Sequence, residues 1–171
     1  MTIADNYYLL RKKFIQVLPK DIIISFVAGI AATALMTAFI LVFRMITGER
    51  INVVRILGTM LTSSTTPAGR CSEKPGTRVA GIIAHYAVGI FFSFVYLWLW
   101  QNEIIETDLI TTTLLGFITG LIGILVWRLY FKIHSHPPVV PLKLYLTCIL
   151  FAHIIFAWTA RWLALNWIEN I

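Results

Sequence analysis

Two histidines, His85 and His153, stand inside long apolar runs of this sequence. An ionisable side chain at such a place is costly in lipid and is a functional candidate by default. The two ring nitrogens of an imidazole can ligate a haem iron or another metal, with a water or a third side chain completing the site. They can also make interhelical hydrogen bonds, or line a transport path. Gly81 and Gly89 flank His85 at four residues on either side and would leave a planar macrocycle room beside the helix. The favoured reading is the hydrogen-bonding one, with Thr33, Thr37, Thr119 and Tyr86 as candidate partners. Two histidines are few for a metal site, and no Asp or Glu lies within the apolar runs to help. A haem or a metal ion is therefore the alternative cofactor reading. A small oligomeric transporter or channel is the other alternative, and there a histidine would have to replace the usual intramembrane carboxylate.

A second pair, His134 and His136, forms an H-x-H beside Pro137 and Pro138, with Lys132 and Lys143 nearby. Fixed by the prolines, this loop could bind a metal ion or an anionic headgroup. Otherwise the two rings face solvent at a helix end. The sequence has no G-x-S-x-G, no H-E-x-x-H and no glycine-rich phosphate loop. The expectation is a protein that is not an enzyme.

The elements that must carry these residues follow from composition. The 171 residues are 58% hydrophobic and 13% charged, against about 25% charged in soluble domains, and the mean hydropathy is +0.82. Disordered chains, disulfide mini-domains and soluble nucleic-acid binders are excluded. Residues 22–43 and 79–100 are uncharged runs of 22 residues, and 109–127 is one of 19. At about 1.5 Å per residue, 22 residues reach about 33 Å, enough for the hydrocarbon core. A fourth span, 142–164, contains a 17-residue uncharged run extended past Arg161, whose long side chain can snorkel. Each span must satisfy its own backbone in lipid, so all are helices. The first is expected to be retained and not cleaved as a signal peptide, since the run is long and no A-x-A site follows. The fold class is thus all-α: an integral membrane four-helix bundle in one transmembrane domain. Between helices one and two, apolar residues recur at 53, 54, 57, 60 and 61, so a short interfacial or re-entrant helix is expected over about 51–62. From the face of the loops before helices two and four, His85 lies about 12 Å deep and His153 about 18–20 Å deep. A shared interior site is geometrically open to both.

Charge sets the orientation. The first and third loops hold Arg44, Arg50, Arg55, Arg70, Lys74, Arg78, Arg128, Lys132 and Lys143; the tails and second loop hold Arg11, Lys12, Lys13, Lys20 and Arg161. Positive-inside counting favours both termini outside the cytoplasm, although the bases of the N-terminal tail oppose it. The net charge of +6 then marks anionic headgroups as the partner of the basic ends, and no nucleic acid is expected. Small residues on one helix face, Ala28 and Ala32 or Gly116 and Gly120 at a spacing of four and Gly81 and Gly89 at eight, are expected to form helix-packing faces within the chain or toward a homo-oligomer or larger membrane complex. Trp98, Trp100, Trp127, Tyr130, Trp162 and Trp167 fall near helix ends and read as an aromatic belt. Cys71 and Cys148 occupy a loop and an apolar run, so no disulfide between them is expected.

The segments AGIAATALM (28–36) and ILGTML (56–61) are followed by the G-x-x-x-H of Gly81 and His85, with Gly89 and Tyr96 beyond. Together with HPP at 136–138 and FAHIIFAW at 151–158, they resemble small bacterial inner-membrane proteins of domain-of-unknown-function families, the YagU-like proteins among them. The resemblance spans about residues 25–160. It implies a four-helix protein of the bacterial inner membrane and carries no substrate, cofactor or catalytic residue. The expected role is structural, interacting or accessory.

Overall fold

The computed structural model describes residues 19–49 and 51–168. Arg11, Lys12, Lys13 and Arg50 lie outside the described residues, as does the side chain of Trp167. The described chain is all-helical: α1 (Pro19–Thr47), α2 (Val53–Leu61), α3 (Pro75–Gln101), α4 (Leu109–Ile133) and α5 (Leu142–Ile168). Four of these are long and apolar enough to cross a membrane. They overrun the uncharged segments because Asp21, Arg44, Arg128, Lys132 and Lys143 are all helical. Charges at helix ends reach the interface, so they bound the lipid-embedded part and not the helix itself.

Helix ends are set locally. Asn52 caps α2 by accepting the Arg55 amide at 2.9 Å. Asp108 caps α4 by accepting the amides of Ile110 at 2.8 Å and Thr111 at 3.1 Å. Pro75 starts α3, where the missing N–H removes no helical bond.

In the bundle, α1 packs on both α3 and α5, and α5 packs on α4. The contacts run through small residues, because lipid supplies no hydrophobic drive and close backbone approach must do the work. Ala28 and Ala32 are buried on α1. A Cβ at Gly29 would stand 2.6 Å from Ile90 Cα, and one at Gly116 would stand 2.8 Å from Ile154 Cα. At Gly120 the nearest atom would be Leu150 Cδ1 at 2.9 Å. Gly81 meets the Val54 carbonyl and Gly58, and Gly89 meets the Thr33 hydroxyl. These glycines therefore meet other helices of the same chain.

Helix α2 lies across the start of α3, with Gly58 and Gly81 backbone to backbone. Its buried residues are Val53, Ile56, Gly58, Thr59 and Met60, while Leu61 is exposed. The buried surface is thus rotated from the face expected at 53, 54, 57, 60 and 61. The cause is that α2 is covered twice, by α3 on one side and on another by the following loop, whose Ser72 amide donates to Thr59 Oγ1 at 2.9 Å. The loops after α2 and α4 are joined: Val139 N–H donates to the Gly69 carbonyl at 2.8 Å, and Thr65 Oγ1 donates to the His136 carbonyl at 2.6 Å. At the opposite face, Gln101 donates to Asp21 at 2.7 Å and Arg161 Nε donates to the Thr107 carbonyl.

Candidate intramembrane binding site

Helices α3 and α4 make no extended contact with each other. A cavity of about 290 Å3 occupies the gap, and every helix contributes to its wall. The hydroxyl of Tyr96 on α3 and that of Thr119 on α4 bond at 2.6 Å beyond one end. At the other end Val53 and Leu57 of α2 form the wall. Val88 on α3 and Val126 on α4 line the cavity, yet they are 51% and 56% exposed. The mouth therefore faces sideways, where lipid surrounds the bundle.

Both intramembrane histidines line this cavity. Their hydrogen bonds fix their tautomers. Thr37 Oγ1 lies 2.7 Å from the Thr33 carbonyl, which can only accept, so the Thr37 proton is committed there. His85 Nε2 lies 3.0 Å from the same Thr37 oxygen and must be the donor. In the neutral ring this leaves His85 Nδ1 bare. His153 Nδ1 lies 2.8 Å from the Ile149 carbonyl and must donate, which leaves Nε2 bare. Neither bare nitrogen has a hydrogen-bond partner among the described residues. Packing holds the His153 ring in place: Phe92 meets it edge to face at 6.5 Å, and a Cβ at Gly123 would stand 3.1 Å from Cε1.

One of the expected partners, Thr37, bonds a histidine, His85, while Thr119 is engaged by Tyr96 and Thr33 donates to the Gly29 carbonyl at 2.6 Å. His153 bonds its own helix and not a neighbour. The space beside Gly81 and Gly89, which a macrocycle would need, is filled by α2 and by Thr33. Among the described residues no cluster of three or more metal-ligating side chains occurs.

The H-x-H loop serves the fold. His134 Nε2 donates to the Met60 carbonyl at 3.0 Å, and His134 Nδ1 accepts the His136 amide at 3.2 Å. Both nitrogens of His134 are used by the protein, so the metal-binding alternative at His134 and His136 has no lone pair at His134. The aromatic belt also divides. Trp127 and Tyr130 line the cavity, Trp100 is buried against Tyr96, and Trp162 is exposed. Cys71 and Cys148 are free thiols, and burial pushes the Cys71 thiol up, away from reactive thiolate.

Gly58, Phe92 and the Tyr96–Thr119 bond also shape the site, and residue spacing does not point to them. A glycine in the middle of the nine-residue α2 was the available signal for close backbone approach. No protein-family model, curated protein or solved structure matches the chain significantly.

Proposed function

We propose that this chain is an accessory protein of the bacterial inner membrane that binds, without turnover, a bilayer-soluble amphiphile bearing a hydroxyl or comparable hydrogen donor. The observation that carries the reading is one mostly apolar cavity with a lipid-facing mouth, lined by two imidazole rings that each keep a bare nitrogen. An unpartnered acceptor in low dielectric costs free energy that a donor recovers. An apolar body in the cavity and an O–H toward the rings would satisfy both walls at once. The basic face formed by the first and third loops lies in the cytoplasm and both termini lie outside, in keeping with the charge distribution.

The test compares two probes of matched length, 1-dodecanol and dodecyl methyl ether, added to the purified protein in nanodiscs. Thermal unfolding is read for the parent and for His85→Phe/His153→Phe. The alcohol raises Tm of the parent, the ether does not, and the double variant loses the difference. Equal responses to alcohol and ether, or no response to either, would overturn the reading. Epitope tags at both termini, protected from external protease in spheroplasts, would reverse the orientation.

A further inference from the structure

A second concavity lies on the loop face, on the far side of α2 from the intramembrane cavity. It measures about 1280 Å3 and is walled by the end of α1, by α2 and by the first and third loops. Four cations line it, Arg44, Arg55, Arg70 and Lys74, against one carboxylate, Glu73. Glu73 is bonded to Arg55 Nη2 at 3.0 Å. The same Nη2 reaches the Cys71 carbonyl at 3.4 Å. Both contacts use one nitrogen of the fork, so Arg55 is held in place with Nε and Nη1 still able to donate. Thr66 Oγ1 accepts the Arg70 amide at 2.9 Å, which orients its own hydroxyl as a donor. The floor is rigid, since α2 is fixed to α3 through the Gly58–Gly81 approach.

We infer that this basin is a binding site for a phosphate group, set at headgroup level by the helix ends that frame it. Guanidinium forks match phosphate oxygens in pairs, and a rigid concavity of net positive charge holds them where screening is weaker than on an open surface. The proposal does not depend on the occupant of the intramembrane cavity. The phosphate has two sources of the same chemistry, an anionic phospholipid or a free phosphate compound.

The experiment uses the full chain and two arms. In an uncharged detergent, inorganic pyrophosphate is titrated calorimetrically at constant ionic strength. In nanodiscs, native mass spectrometry reads retention of phosphatidylglycerol against phosphatidylcholine. Each arm is repeated with Arg70→Gln/Lys74→Gln, both exposed loop positions, and with Lys132→Gln/Lys143→Gln, which alters the same face outside the basin. Saturable pyrophosphate binding, weakened at least tenfold by the basin pair only, identifies a free phosphate compound. Preferential retention of phosphatidylglycerol, lost in the basin pair only, identifies the lipid headgroup. No binding in either arm would overturn the proposal. So would equal losses in both variant pairs, because general surface charge would then explain the result. Unchanged Tm of each variant without ligand confirms that folding is intact.

Discussion

Three glycines on one side of α4 meet α5 with different tolerance, which makes their replacement a graded test of the packing. A Cβ at Gly116 would stand 2.8 Å from Ile154 Cα and 2.9 Å from the His153 carbonyl oxygen, both backbone atoms that cannot move alone. At Gly120 the nearest atom is the flexible end of Leu150, with its carbonyl at 3.1 Å. At Gly123 the neighbours are side chains, the His153 ring at 3.1 Å and Ile149 Cγ2 at 3.3 Å. Overpacking costs about 1–3 kcal/mol, and replacing a helical glycine by alanine returns about 1 kcal/mol of propensity. Gly116→Ala, against backbone, should therefore lose up to about 2 kcal/mol, Gly120→Ala less, and Gly123→Ala should come out near zero. Gly76 has nothing within 4 Å of its would-be Cβ, so Gly76→Ala is the control and should gain up to about 1 kcal/mol. Reversible unfolding in mixed micelles reads all four. Gly116→Ala as stable as Gly123→Ala would refute the α4–α5 geometry.

Other expectations follow from single contacts. Tyr96→Phe removes the bond to Thr119 across the gap between α3 and α4 and should cost about 0.5–1.5 kcal/mol in the same micelle assay. No change would mean that the bond does not hold the gap. The Asp108 carboxyl is held below the usual carboxylate range by the Thr111 hydroxyl and amide and by the Ile110 amide. Its contribution is fully present above the unfolded carboxylate pKa and is lost as pH falls through the lower folded value. Asp108→Asn should flatten that acid limb of a Tm-against-pH curve, and an unaltered limb would contradict the cap. Cys71, with its thiol pushed up by burial, should react with maleimide slowly at neutral pH and faster as pH rises. Rapid labelling at pH 7 would contradict its half-buried placement.

The spans were legible because lipid leaves a short chain segment one way to satisfy its backbone. Runs such as 22–43 and 79–100 accordingly mark α1 and α3. Helix α2 was legible from its period, but not the side it buries, since Ser72 and Gly81 cover it from two directions. The identity of packing partners was hidden for a related reason. A helix apolar all round carries no stripe that says which neighbour it meets, so Gly81 gave no sign that its partner is α2. His85 and His153 stood out as intramembrane imidazoles, and their helical depths left one shared site open to both. Which nitrogens remain bare depends on Thr37, Thr33 and Ile149, contacts that spacing alone does not encode. The loop basin was equally hidden, because its walls come from segments as distant as Arg44 and Val140.

A donor-bearing ligand in the cavity would meet imidazole rings that each keep one bare nitrogen. Nitrogen NMR of protein labelled with 15N-histidine, in nanodiscs near neutral pH, tests this most directly, with His85→Phe and His153→Phe used for assignment. His85 should be protonated at Nε2 and His153 at Nδ1. On addition of 1-dodecanol, which has one proton to donate, one of the unprotonated nitrogens, His85 Nδ1 or His153 Nε2, should shift. The opposite tautomers, or bare-nitrogen resonances that stay fixed when the alcohol is added, would contradict it.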